Sequence, residues 1–312
     1  MGCDFTPEVL PVSPFTKCKT SITNLRSKLV AIFPLKRPKI LACTIRHFII
    51  LNMEDRTDEL ACSFSSEITC ALLISNPNVK LLAGKATGEI EILHLQKKTE
   101  KFLLGHSSKV TFLLMLKNGQ LCSGSDDGDV FIWDLKTKMD EFNFGASTKS
   151  ITCLCELKDG RLIVISSDDR GRMYNLKLQT LEIEWKIIGA FYLIQIKDKR
   201  VVYSSDGDII VSQIEKLLDV SKEMDRGYVK NHQPDIYIKK AHEGMISMLL
   251  ELKNGDIASS GNDGMIKIWN LAKGFICIQE LEGHHERVSY MSEIPNYRLL
   301  SCADDGWVRV WS

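Results

Sequence analysis

The sequence predicts an all-β molecule in which seven small antiparallel sheets of four strands close into a ring. Three observations predict it. A short element recurs: SGSDDGDVFIWDL (123–135), SGNDGMIKIWNL (260–271) and CADDGWVRVWS (302–312) each run from an acidic glycine turn into alternating apolar residues that end on Trp. Its spacing is constant, with 23 residues from the apolar residue that opens a strand to the aromatic that ends the third strand after it, for Val110 to Trp133, Ile151 to Tyr174, Ile246 to Trp269 and Val288 to Trp311. Third-strand ends then recur along the whole chain at Leu51, Leu93, Trp133, Tyr174, Ser212, Trp269 and Trp311, in steps of 42, 40, 41, 38, 57 and 42 residues. A period of roughly 40 residues is the mark of stacked or circular repeat architectures.

Within a unit the reading is three short strands of period 2 split by turn-formers, as in VTFLLML, KNGQ, LCSGS, DDGD, VFIWDL. KNGQ and DDGD supply the positive-φ residues that tight hairpins need. Weaker copies occupy 68–95, 151–176 and 191–214, and the weakest runs from 28 to 53. KMDEFNF (138–144) and KFLLGH (101–106) give their units a fourth, outer strand. The single long step contains a charged insertion at about 219–240, expected to be an exposed loop on the fifth or sixth unit. A four-stranded sheet of this size cannot bury both faces alone, so the seven pack face to face, most economically in a closed ring. The last unit lacks a fourth strand after Ser312, and FTKCKT (15–20) is expected to supply it. The domain is thus expected to span 15–312, behind a flexible tail at 1–14.

Composition narrows the function classes. Forty basic residues balance forty acidic ones, so no global field draws the chain onto nucleic acid. The first forty residues are locally basic, with Lys17, Lys19, Arg26, Lys28, Lys36, Arg37 and Lys39 against Asp4 and Glu8. The 10 cysteines lack CxxC pairs and His neighbours, which reads as reduced thiols acting as small hydrophobes, with no metal and no cofactor. The start has no apolar signal segment and no window is long and apolar enough to span a bilayer, so the expectation is a cytoplasmic protein.

Gly105-His106, Ala241-His242 and Gly283-His284 each place a His four residues before a strand-opening Val110, Ile246 or Val288. With the Trp-ended third strands, these residues make the chain resemble the WD40-repeat β-propeller family from about Phe15 onward. The resemblance implies a buried hydrogen-bonded set in each well-formed unit: His106, Ser123, Asp127 and Trp133; His242, Ser259, Asp263 and Trp269; His284, Ser301, Asp305 and Trp311. A carboxylate buried beside an indole and an imidazole is tolerable only if every donor and acceptor is matched. Repetition at fixed spacing makes these Ser, His and Asp residues architectural, so no catalytic residue is assigned. Units one, two, four and five depart from the pattern: Thr87 stands for the Asp in the second, Asp168 persists without a His in the fourth, and Asp206 persists without the aromatic in the fifth.

The resemblance further implies a rigid, monomeric, non-catalytic scaffold that grips protein or peptide partners on the face carrying the outer-to-inner loops and acidic turns. Residues expected to look outward there are Glu67, Thr69, Lys109, Thr111, Asp126, Ser150, Thr152, Phe191, Met245, Ser247, Asn262, Arg287, Ser289 and Asp304, with Trp307 as a further anchor; for Trp307, Phe191 and Met245 the alternative is inter-blade packing. The competing class is an enzyme of propeller architecture with convergent groups at a central channel. Gly2-Cys3-Asp4-Phe5-Thr6 fits the N-myristoylation pattern, although Pro7 follows it, and Cys3 offers a palmitoylation position. Two such signals, or one chain plus a basic stretch, make membrane attachment stable.

Overall fold

A computed structural model describes residues 18–25, 27–36, 38–55, 57–75, 79–95, 99–137, 139–216, 234–295 and 298–312. Among these described residues, twenty-eight strands form seven four-stranded sheets, each running in sequence order from an inner to an outer strand, except that the outer strand of the seventh comes from the start of the chain. The inner strands are Leu29–Pro34, Ile68–Ile74, Val110–Met115, Ile151–Glu156, Leu193–Gln195, Ile246–Glu251 and Val288–Ile294. Each touches its neighbours and the seventh touches the first, so the ring is closed around a channel. Every inner strand enters from the same side. We call that side, with its outer-to-inner loops and second-to-third turns, the upper face.

The closing strand is Cys18–Asn24, later than the expected 15–20, and it pairs antiparallel with Trp307–Trp311, Cys18 opposite Trp311 and Asn24 opposite Trp307. Leu25 N–H then reaches the carbonyl of Gly306 at 3.0 Å. SITN lacks the apolar alternation that marks a strand in sequence; its pairing is dictated by the open backbone edge of the last third strand. Phe15 to Lys17, the 1–14 tail and Gly2 with Cys3 lie outside the described residues. The insertion also needs correcting. Residues 217–233 lie outside the described residues, but Ile236–Ile238 is no loop: it is the outer strand of blade five, paired with Ile209–Val211. Ile236 and Ile238 pack on the cluster joining blades five and six, which is why this short run of an otherwise charged segment is held as strand.

Apolar burial is distributed between blades. Seven clusters each bridge one neighbouring pair: Leu82, Ile90, Val110 and Trp133 join blades two and three, and Leu29, Ile40, Leu300 and Val308 join seven to one. The joint that closes the ring therefore has an apolar cluster of its own, like the other six.

Six inner strands share one irregularity, an extra residue between the first and third positions, at Val30, Thr69, Thr111, Thr152, Ser247 and Ser289. Such a bulge bends a strand and re-aims its side chains. The acidic turns use glycine under two constraints. Gly128 sits at φ 85° and a Cβ there would lie 2.0 Å from the Ser147 carbonyl of the next blade; Gly264, at φ 75°, has the His284 carbonyl at 2.7 Å. Only glycine admits both the left-handed backbone and the neighbour's approach.

Candidate functional site

Three blades carry the same polar set beneath the upper face. In blade three, His106 Nδ1 lies 3.3 Å from Asp127 Oδ2 and Nε2 lies 2.8 Å from Ser123 Oγ, which also accepts from Trp133 Nε1 at 2.8 Å. Blade six repeats this with His242 to Asp263 at 3.0 Å, His242 to Ser259 at 2.7 Å and Trp269 to Ser259 at 2.8 Å. In blade seven His284 lies 3.1 Å from Asp305 and 2.8 Å from Ser301, with Trp311 also 2.8 Å from Ser301. One proton arrangement satisfies every atom: Nδ1–H donates to the carboxylate, Ser donates to Nε2, and the indole N–H donates to Ser. A neutral imidazole is required, and burial, opposed by Asp305, pulls His284 down to about 4; burial likewise lowers His106 against Asp127. Burial also works against each carboxylate, but backbone N–H donors and the His hold Asp127, Asp263 and Asp305 below the usual range. Ser107, Glu243 and His285 donate backbone N–H to those carboxylates at 2.8, 2.9 and 3.1 Å, tying each outer-to-inner loop to its turn.

Two of the degenerate blades, the second and the fourth, carry ion pairs instead. In blade two Phe64, Ala83 and Leu93 take the His, Ser and Trp places, and a fully buried Lys85 pairs with Glu91 at 2.8 Å, with its ammonium 4.6 Å from the centre of the Phe102 ring. In blade four Arg172 bonds Asp168 at 2.6 Å, Ser166 at 2.9 Å and Glu184 at 2.7 Å, while Ser147, at the His place, donates to Asp168 at 3.0 Å. Burial opposes ionisation of Asp168, yet these donors bring it to about 2.

The channel encloses about 870 Å³. Its wall is mostly apolar, with Cys70, Leu72, Phe112, Leu114, Tyr192, Met248 and Tyr290 among the lining residues. Burial raises the thiols of Cys155 to about 11 and Cys70 to about 12, and also raises Tyr192, so these groups stay protonated and poorly nucleophilic. Among the described residues no group of three His, Cys, Asp or Glu is placed to hold a metal ion.

Of the residues expected on the upper face, Thr69, Thr111, Thr152, Phe191, Met245, Ser247, Asn262, Arg287, Ser289 and Asp304 line this channel. The hydroxyl-bearing ones face the next blade. Thr111 Oγ1 donates between Gly124 O, at 3.0 Å, and Ile151 O of blade four; Ser289 Oγ reaches Leu29 O of blade one at 2.7 Å. Thr69, Thr152 and Ser247 bridge in the same way to Val110, Ala190 and Val288. Their hydroxyls are thus committed to inter-blade joints, because the bulge turns them sideways. Rim charges are mostly paired: Lys28 to Asp304 at 2.8 Å, Arg46 to Glu67 at 2.8 Å, and Lys109 to Asp126 at 3.4 Å, with Ser150 on the other oxygen of Asp126. Arg287 is exposed, and no carboxylate among the described residues pairs with it. Trp307 stands away from the channel, half-buried at the head of the last third strand, with Arg309 5.6 Å from its ring centre.

The lower face holds a device that sequence reasoning missed. In blades three to five the lysine of the inner hairpin turn reaches into the next blade: Lys117 N–H donates to Glu156 at 2.8 Å and its ammonium to Leu157 O at 2.6 Å. Lys158 repeats this on Gln195 at 2.7 Å and Ile196 O at 3.1 Å, and Lys197 on Glu251 at 3.0 Å and Lys253 O at 3.2 Å. Lys253 N–H meets Glu293 at 2.8 Å. The signal was present as ELKDG, QIKDK and ELKNG, a carbonyl-side acid or amide two residues before each Lys, but was absorbed into the turn assignment.

Comparison with known proteins agrees with this geometry. The family described as WD40, "WD domain, G-beta repeat", matches residues 97–134 and 275–312. A solved structure, the WD40 β-propeller domain of Doa1, superposes with a TM-score of 0.77 over 95% of this chain and 96% of that one, at 16% identity. The chain is a β-propeller carrying WD40 repeats. The matched WD40 repeats contain the sets of blades three and seven; the set of blade six lies outside both, with the same geometry. Among curated proteins the chain is similar to the p21-activated protein kinase-interacting protein 1-like proteins of Xenopus laevis, 26% identical over 219 residues, and Danio rerio, 25% identical over 229 residues. These alignments span 60% and 64% of this chain, and 60% and 62% of those relatives' own lengths.

Proposed function

We propose that the chain is a non-catalytic adaptor that grips a partner protein at the upper mouth of its channel. The observation that carries this reading is the sector formed by blades five to seven, where Phe191, Met245 and Asn262 border the channel beside Arg287, a cation left unpaired among the described residues. An apolar side chain followed by a carboxylate would suit that sector, and buried aromatic, Met and Arg contacts dominate protein-binding energetics. The channel's protonated thiols and phenols offer no nucleophile, which favours binding over catalysis. The names of the relatives make a p21-activated kinase the first partner to try. Calorimetric titration of such a kinase into the wild type and into Arg287→Glu and Met245→Glu tests the reading. The expected result is at least ten-fold weaker binding in both variants at unchanged melting temperature; wild-type affinity in both would reject this face.

A cytoplasmic chain acylated on Gly2, with Cys3 as a second attachment point, is the corresponding proposal for recruitment. Metabolic labelling with an alkyne fatty acid tests it, and the label must disappear in Gly2→Ala.

A further inference from the structure

In this electroneutral chain a run of acidic turns and a set of exposed lysines lie on opposite faces. The acidic second-to-third turns, at 126–129, 168–169, 206–208, 263 and 304–305, all open on the upper face. On the lower face, the exposed Lys36, Lys136, Lys177, Lys199, Lys253 and Lys273 have no carboxylate at ion-pair distance among the described residues. Of the acids on this face, Asp159 is paired by Arg161 at 2.7 Å and Asp198 by Arg200 at 2.6 Å, while Glu156, Glu251 and Glu293 accept backbone N–H bonds from the Lys-bearing turns. Next to Lys177 the third-to-outer turn of blade four presents Leu178, 69% exposed. Cys18, where the closing strand begins, pairs with Trp311 at the lower end of its strand.

We propose that the lower face is a docking surface for an anionic lipid bilayer. The lysines do not converge on a point, as a bound phosphate would require; they are spread over the loops of blades one, three, four, five and six in one plane. A bilayer offers distributed negative charge in a plane, and an exposed Leu beside a Lys can enter its interfacial layer. The proposal requires neither acylation nor the partner on the opposite face, and docking would leave that face turned to the cytoplasm.

The test uses unacylated full-length protein produced in bacteria and co-sedimented with phosphatidylcholine vesicles, with and without about one third phosphatidylserine, at low and high salt. Partition onto the anionic vesicles only, suppressed by salt, is expected. Each lysine at such a surface contributes roughly five-fold, so the triple change Lys136→Glu, Lys177→Glu, Lys199→Glu should lower partition at least ten-fold, as should Lys253→Glu with Lys273→Glu and Leu178→Asp. Lys149→Glu on the upper face should leave it unchanged. Equal partition onto neutral vesicles, no partition onto either, insensitivity to the lower-face changes, or retention only on an RNA or heparin column would overturn it.

Discussion

At the scale of single residues, burial holds His284 of the blade-seven set neutral, and this gives the molecule a defined acid sensitivity. Above pH 6.5 both folded and unfolded chains carry His284 neutral. Between 6.5 and about 4 the unfolded chain takes a proton that the folded chain refuses, so stability falls across that window, by about 3 kcal/mol at its limit. The lowered carboxylate of Asp305 adds a loss in the same direction at still lower pH. Urea midpoints measured from pH 7 to 4.5 should fall, and His284→Gln should flatten the slope; an unchanged slope would remove His284 as its source. The rest of the set predicts unequal costs. Trp269→Ala empties a buried site between blades five and six and should cost ~3–5 kcal/mol. Asp263→Ala strands His242 and the Glu243 N–H and should cost ~1–3 kcal/mol. Denaturation midpoints like the wild type for both would reject the set as structural.

At the scale of elements, what could be read from sequence was whatever each strand does for its own sheet. Alternation, turn glycines and terminal aromatics located the inner, second and third strands, because those signals arise from burial within three to ten residues. Contacts between blades were not legible. Thr111 and Ser289 sit at bulged positions that alternation alone assigns to the outside, and only the bulge turns their hydroxyls to Ile151 O and Leu29 O. The ion pairs of Lys85 with Glu91 and Arg172 with Asp168 look in sequence like lost residues, yet they occupy the space of the absent sets. Blade one has Val30 at the bulge and closes without the hydroxyl, so Thr111→Val should be modest, about 1 kcal/mol. Lys158→Met removes one ammonium donor to a rim carbonyl and should cost about as much. Combined, they lie on different joints and should add. A double variant measured by chemical denaturation at far more than the sum would show instead that the joints cooperate.

At the scale of the whole molecule, the joint between blades seven and one decides whether the chain behaves as a ring or as a stack. Three kinds of contact meet there: the apolar cluster of Leu29, Ile40, Leu300 and Val308, the Ser289 bridge to Leu29 O, and the ladder of Cys18–Asn24 on Trp307–Trp311. The first two join neighbouring inner regions, as at any other joint. All three bring together the two ends of the chain, but only the ladder completes one sheet from both of them, so it adds stability only once all blades are in place. Removing residues 1–24 leaves the apolar cluster but opens the backbone edge of the last third strand beside Trp311. The truncated protein should therefore lose several kcal/mol of stability and unfold less cooperatively, with blade seven exchanging its amide protons first. A synthetic 18–24 peptide added in excess should restore the melting temperature in a concentration-dependent way, as expected when a ligand binds only the folded state. Truncation without effect on melting, or protection of 307–311 equal to that of blade three, would mean that the inner joint alone holds the ring shut.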